Sequence, residues 1–210
     1  MSDAAVSEGP PERRLWLVRH GETTGQSSVR FHGQNDVPLA DLGRQQIRAL
    51  GPWLLGTAFQ RIVHSPLSRA AESAQILAEL CGAPRERLCA EPALREISFG
   101  ECEGLTEAEI EARFPDFWRE HRRGRTTGFP GGEPRAAFAA RVAAWTQAMV
   151  QEPWTGDLLV VAHRGTVRQI LRALFAVPLG TSDPFGVELG SLSVAREAGG
   201  WQLELLSAVP

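Results

Sequence analysis

Two histidines each stand at the end of an apolar run, beside an arginine and a glycine. Arg19-His20-Gly21-Glu22-Thr23 follows Leu15-Trp16-Leu17-Val18, and His163-Arg164-Gly165-Thr166 follows Leu158-Leu159-Val160-Val161-Ala162. A third run, Arg61-Ile62-Val63-His64, leads into Ser65-Pro66-Leu67-Ser68-Arg69. A buried strand that ends abruptly in polar residues carries them to the edge of a sheet, and in open α/β sheets ligands bind at that edge. If the three runs are neighbouring parallel strands, His20, His163, Arg19 and Arg69 converge, and the electropositive starts of the following helices point at the same spot. A neutral imidazole there can attack phosphorus. Nearby guanidiniums bind the phosphoryl oxygens and hold the imidazole deprotonated.

Competing uses of these residues are weaker. Zinc is the usual alternative for paired histidines, but adjacent arginines and the lack of a third ligand count against it. No Gly-x-Ser-x-Gly elbow marks a serine triad, and no glycine-rich P-loop is present. The plain alternative is a surface Arg-His pair after an ordinary strand.

Short β-type runs alternate with helical patterns, as positioning these groups requires. Leu15–Val18 is the first strand. Asp41 to Leu55 reads as a helix with Leu42, Ala49, Leu50, Trp53 and Leu54 on one face. Residues 61–64 form the second strand and run into an N-cap at Ser65 with Pro66 in the first turn of a helix to about Leu80, striped by Ala70, Ala74, Leu77 and Cys81. Arg135 to Gln151 is a third helix, with Phe138, Val142, Trp145 and Met149 recurring at helical steps. Leu158 to Ala162 is too apolar to be half exposed. Thr166 to Phe175 returns to helix, and strands near Ser191–Ala195 and Trp201–Leu206 flank the turn Gly199-Gly200. Such alternation predicts a three-layer α/β/α sandwich with a mostly parallel central sheet.

Residues 1–13 read as a disordered tail and 14–210 as one domain. Within it, residues 91–132 are loop-rich and charged, with a capping-box pattern at Thr106 and Glu109. This stretch reads as a lid-like insertion over the sheet edge. Phe114, Phe117, Trp118, His121, Arg122, Arg123 and Arg125 either grip a leaving group or form a helix with an apolar face and a solvated basic one.

The chain of 210 residues, 43% hydrophobic and 22% charged, has the composition of a globular domain with a core. Its net charge of −3 gives no global case for nucleic acid or an anionic membrane. A phosphate site must therefore come from local clustering of its arginines. Cys81, Cys89 and Cys102 are odd in number and share no CxxC spacing, which argues against disulfides and structural zinc. The polar, acidic N-terminus has no apolar segment of a signal peptide, and no run reaches the ~20 apolar residues of a membrane span. A cytoplasmic location is expected.

Five motifs in order resemble the histidine phosphatase superfamily, phosphoglycerate mutase-like branch. The first is Arg19-His20-Gly21-Glu22-Thr23 with Phe31-His32-Gly33, Asp36-Val37-Pro38-Leu39 and Leu42-Gly43. The others are Ser65-Pro66-Leu67-Ser68-Arg69-Ala70, the acidic stretch 94–104, Pro130-Gly131-Gly132-Glu133 and Val161-Ala162-His163. The resemblance implies that His20 is the nucleophile that becomes phosphohistidine, and that Arg19, Arg69 and His163 bind the phosphoryl group. It implies that Glu96 is the general acid and then the base that activates water, and no metal or cofactor is expected. Glu22 is expected to order the His20 loop. Thr23, Gln26 or the backbone amides of 24–26 are candidate phosphate contacts.

Three positions depart from the family pattern. Gln26 stands where asparagine is common, Arg164 where glycine is usual, and Pro134 where serine is common. Arg164 is expected to point away from the site, because a glycine position often signals close backbone approach. The compact segment between Glu96 and His163, with the short run after Leu206, is similar to alpha-ribazole phosphatases and broad-specificity phosphomonoesterases. The implied function is phosphoric monoester hydrolysis of a small metabolite by a histidine acid-type phosphatase. A cofactor-dependent phosphoglycerate mutase is the alternative, and a non-catalytic phospho-ligand binder the second. The expected partner is a small phosphate ester, not nucleic acid or membrane, with a homodimer left open.

Overall fold

The computed structural model describes residues 12–179 and 184–210. In chain order its strands and helices are β1 (Arg13–Arg19), β2 (Arg30–Phe31), α1 (Asp41–Ala49), α2 (Gly51–Leu54), β3 (Phe59–His64), α3 (Ser68–Leu80), β4 (Leu88–Ala90), β5 (Leu105–Thr106), α4 (Glu107–Arg113), α5 (Pro115–Arg122), α6 (Arg135–Gln151), β6 (Gly156–Ala162), α7 (Arg164–Leu174), β7 (Leu192–Glu197) and β8 (Trp201–Ala208).

Six strands form one sheet in the order β4-β3-β6-β1-β7-β8. The first four run parallel, β7 is antiparallel to β1, and β8 is antiparallel to β7. Only β7 of the six runs against the others, close to the mostly parallel sheet expected. Alternation along the central strands builds both layers of the core. Leu15, Leu17, Leu158 and Val160 pack with Phe138, Val142, Ile170 and Leu171 from α6 and α7. Val18, Leu159 and Val161 face the other way, against Ile47, Ala70, Ala74 and Leu77 from α1 and α3.

Several boundaries differ from the sequence reading. β1 begins at Arg13, two residues before its apolar run, so Arg13 is not part of a tail. Glu12 is described too, its carbonyl accepting from the Gly156 N–H at 3.0 Å, and residues 1–11 of the expected tail lie outside the described residues. The helix expected over 41–55 divides into α1 and α2, with Pro52 in the first turn of the second piece. Ser65 does not cap α3. Leu67 is extended, with φ −66° and ψ 136°, and the helix starts at Ser68. β4, too short to show a periodic pattern, pairs with β3, and β2 pairs with β5 in a separate small sheet. Residues 91–132 carry the Thr106–Glu109 capping box as read and have their own apolar cluster of Cys102, Ile110, Trp118 and Phe129.

α1 is pressed directly onto the turn after β1. A Cβ at Gly43 would lie 2.0 Å from the Glu22 carbonyl oxygen, and one at Gly21 would lie 2.3 Å from the Gly43 carbonyl oxygen. The Glu22 carbonyl accepts from the Ala40 N–H (2.9 Å), and the Glu22 N–H donates to Gln46 Oε1 (2.8 Å). Backbone therefore meets backbone, and neither side can yield. Gly43→Ala is expected to destabilise the fold by about 3 kcal/mol, because overpacking at such a contact forces the backbone apart. Urea unfolding checks this; a loss below about 0.5 kcal/mol would show that the contact is soft.

Candidate active site

Strand register creates the site. Arg19 pairs with Ala162 across β1 and β6, and the His20 N–H continues the ladder to the Ala162 carbonyl at 3.0 Å. His20 and His163 are thereby the first residues beyond the paired ends. Both are buried, with ring centroids 5.1 Å apart and planes inclined by 63°. β3, on the other side of β6, ends beside them and brings Ser65, whose N–H donates to the Val161 carbonyl at 3.0 Å. The start of α3 then delivers the buried Arg69.

Each side chain is held in one pose. His20 Nδ1 lies 2.7 Å from the Gly21 carbonyl oxygen. A carbonyl can only accept, so Nδ1 carries the ring proton and Nε2 of the neutral ring keeps its lone pair. Arg69 donates from Nη1 to the Asn35 carbonyl (2.8 Å) and from Nη2 to the Gly33 carbonyl (2.6 Å). Arg19 donates from Nη1 to the Val187 carbonyl at 2.9 Å. His163 Nε2 is 2.8 Å from Ser65 Oγ, which also accepts from the Leu67 N–H at 3.3 Å. Among the described residues, Nε of Arg19, Nε of Arg69 and Nδ1 of His163 are buried without a hydrogen-bond partner. Three unsatisfied polar atoms at one place are costly unless an oxyanion accepts from them.

Glu96 closes the other side. Its buried carboxylate accepts from the Ile97 N–H at Oε1 (2.9 Å) and from the Gly165 N–H at Oε2 (2.8 Å). A Cβ on Gly165 would stand 2.4 Å from Glu96 Oε1, so the close backbone approach expected at position 164 occurs one residue later. Arg164 itself is exposed. Glu96 is further fixed from behind, because Arg141 Nη2 donates to its carbonyl (3.2 Å) while Nε and Nη2 grip Glu133 at 2.8 and 2.9 Å. From the sequence Ser65 is read only as a helix cap, and neither Arg141 nor the Gly165 amide is assigned a role there. The Pro-Gly-Gly-Glu turn that supplies Glu133 was the available signal for Arg141.

The remaining expected contacts are engaged within their own loop. Glu22 orders the loop, accepting from the Thr23 N–H (2.8 Å) and the Ser28 N–H (3.2 Å). Thr23 is buried, with its hydroxyl 2.8 Å from Ser27 Oγ. The amides of Thr24 and Gln26 are engaged with the carbonyls of Pro38 (3.1 Å) and Thr23 (2.9 Å). The exposed Gln26 has φ +61°, a left-handed conformation that asparagine tolerates better than glutamine. His32 instead reaches under the loop, with Nε2 2.6 Å from the Gly25 carbonyl oxygen. In the 114–125 segment, Trp118 is buried, Arg122 pairs with Glu111, and Arg123 and Arg125 pair with Glu120. These arginines serve the solvated face of the segment.

Electrostatics follow from burial of like charges. Burial holds His20 well below the usual histidine range, Arg69 and Arg19 push it further down, and the Gly21 bond opposes. His163 is lowered in the same way, by burial and then Arg69. Arg19 is lowered to about 10 by burial and then by Arg164. Two imidazoles held neutral beside two guanidiniums can chemically accommodate an anion, and His20 Nε2 keeps a free lone pair. Among the described residues, no three His, Cys, Asp or Glu side chains are grouped so as to hold a metal ion.

The chain has recognisable relatives. The family model for the histidine phosphatase superfamily (branch 1) matches residues 15–208. A glucosyl-3-phosphoglycerate phosphatase of Mycolicibacterium vanbaalenii is 32% identical over 197 residues, covering 89% of this chain and 84% of the relative. A 2,3-bisphosphoglycerate-dependent phosphoglycerate mutase 2 of Gloeobacter violaceus is 34% identical over 166 residues, covering 76% and 74% respectively. The crystal structure of the alpha-ribazole phosphatase from Shigella flexneri superposes with a TM-score of 0.82 at 25% identity, over 93% of this chain and 96% of that one.

Below the ordinary histidine pKa of 6.5 the unfolded chain takes up protons that His20 and His163 refuse when folded. Their contribution to stability is therefore constant above pH 6.5 and falls as pH drops below it, by roughly 1.4 kcal/mol per pH unit for each. Urea unfolding at about pH 7.5 and about pH 5.5 measures the slope. His163→Gln is expected to flatten it, and an unchanged slope would mean that His163 takes up a proton in the folded state.

Proposed function

The chain belongs to the histidine phosphatase superfamily, and we propose that it is a phosphomonoesterase that hydrolyses a small phosphorylated metabolite through phosphohistidine at His20. The observation that carries this reading is the set of buried, unpartnered donors around a histidine whose proton is fixed on Nδ1. In the first half-reaction His20 Nε2 attacks phosphorus. Arg19 and Arg69 bind the phosphoryl oxygens, and the alkoxide leaves with a proton from the carboxyl of Glu96. Water then attacks the phosphohistidine, gives its proton to the Glu96 carboxylate, and inorganic phosphate departs. His20 returns to the neutral state.

Ser65 supports His163 in this scheme. Its oxygen accepts from the Leu67 N–H while its hydroxyl donates to His163 Nε2, which leaves the His163 Nδ1 proton for a phosphoryl oxygen. Guanidiniums supply the charge stabilisation that a metal provides elsewhere, so the reaction needs no metal ion. Residues 91–132 act as a lid over the leaving group. A cytoplasmic location is part of this reading; among the described residues no helix is long and apolar enough to cross a membrane.

A mutase would return the phosphoryl group from His20 to a sugar acid instead of water. The relative named as a mutase keeps that second reading open, but the one named as a phosphatase matches 197 residues against 166. The group needed for each step is present, which disfavours a binding protein without turnover.

His20→Ala is expected to reduce p-nitrophenyl phosphate hydrolysis by more than about a thousandfold and to abolish an acid-labile, base-stable phosphoenzyme trapped by rapid quench. Retained turnover would remove the covalent mechanism. Glu96→Gln is expected to cost much more with alkyl phosphates than with p-nitrophenyl phosphate, whose leaving group needs no proton. Equal losses on both substrates would take Glu96 out of the acid role.

A further inference from the structure

Ser207 has a backbone that its place in the sheet does not require. It lies in β8, the outermost strand and two strands away from β1, yet its φ is +49°. A serine inside a strand rarely takes that left-handed conformation. The register supplies the cause. Leu192 pairs with Ala208 and Val194 with Leu205, so β8 carries one residue more than β7 over that interval. A bulge of this kind turns a side chain out of the strand's alternation towards a new partner. The Ser207 N–H is tied down in turn, donating to Oγ of the buried Ser193 at 2.9 Å.

The new partner is a peptide group at the active site. Ser207 Oγ accepts from the Glu188 N–H at 2.8 Å. That N–H shares one peptide unit with the Val187 carbonyl, which accepts from Arg19 Nη1 at 2.9 Å. A trans peptide is planar and points its N–H and C=O in opposite directions, so fixing one end orients the other. The bond to Val187 is the one hydrogen bond that the Arg19 side chain makes among the described residues. Neighbouring groups do not duplicate the brace. The Gly190 N–H is committed to the His20 carbonyl at 3.1 Å. The Ser191 N–H and hydroxyl both go to the Glu188 carbonyl, which belongs to the next peptide unit, at 3.3 and 2.7 Å.

We propose that Ser207 is a positioning residue for Arg19: its hydroxyl sets the 187–188 peptide so that the Val187 carbonyl holds the guanidinium beside His20. The proposal rests on the reading of Arg19 as a phosphoryl ligand. Glycine would reach the same φ without strain, but it lacks the oxygen that braces the peptide. Without that oxygen the peptide is free to turn, and the buried guanidinium loses both its acceptor and its pose. The far edge of the sheet thereby takes part in phosphoryl binding without touching the phosphoryl group.

A double-mutant cycle with Arg19 separates this role from a general structural one. Two quantities are read: the affinity for inorganic phosphate by titration calorimetry, which needs no turnover, and kcat/KM for p-nitrophenyl phosphate. Ser207→Gly removes the hydroxyl and the backbone strain together, so its urea midpoint is expected to stay near that of the wild type. Phosphate should nevertheless bind about tenfold more weakly, and kcat/KM should fall by a similar factor. Ser207→Ala, which lacks the hydroxyl but keeps Cβ, should repeat both losses. In an Arg19→Ala background either substitution should change either quantity by less than about twofold, because the group that Ser207 positions is gone. Phosphate affinity within about twofold of wild type in both single variants, or an equal loss in the Arg19→Ala background, overturns the proposal. If the wild type binds phosphate but does not hydrolyse p-nitrophenyl phosphate, the phosphomonoesterase reading fails, and the cycle in phosphate affinity still decides the role of Ser207.

Discussion

Buried positive charge is the constraint around which this protein is organised. Arg19 and Arg69 are both withdrawn from water beside two imidazoles, and neither forms an ion pair there among the described residues. Desolvating a guanidinium costs several kcal/mol unless polar groups compensate. Backbone carbonyls of Val187, Gly33 and Asn35 take part of that cost, and one N–H of each arginine stays unsatisfied. The same charges that are expensive to bury keep His20 deprotonated and make an oxyanion the natural occupant. In the proposed mechanism, binding and nucleophile activation thus have one physical origin.

The fold around the site supplies rigidity rather than chemistry. Three adjacent parallel strands end in register, which fixes the backbone of Arg19, His20, His163 and Ser65 before any side chain is considered. Gly21 and Gly43 bring α1 within backbone contact of the loop after His20, and Gly165 does the same for Glu96. Arg141 locks the backbone around Glu96, the proposed acid, through three carbonyls and a paired grip on Glu133. Groups held this firmly lose little freedom on reaching the transition state, which is what positioning contributes to rate.

Much of this could be read from the chain because strand ends carry strong signals. The apolar runs before His20 and His163 predicted both strands, and their convergence followed from adjacency in a parallel sheet. Helix α6 matched its expected bounds because its apolar repeat spans many turns. The misreadings came where tertiary contacts override local preference. Ser65-Pro66 has the composition of a helix start, yet its hydroxyl is held by His163 and the helix begins later. Three-residue β4 has no period to detect, and it forms because β3 offers it an edge. At Arg164 the expected close approach was displaced by one residue, since Gly165 is the position pressed against Glu96.

Everything in the proposed chemistry depends on a site that holds His20 neutral, with its proton on Nδ1 and a free Nε2. Imidazole nitrogen NMR on the intact protein, followed from about pH 8 to about pH 6, reports both the tautomer and the titration. His20 is expected to give an Nδ1–H signal that does not titrate across that range. An Nε2–H tautomer, or a titration centred at or above 6.5, would contradict it.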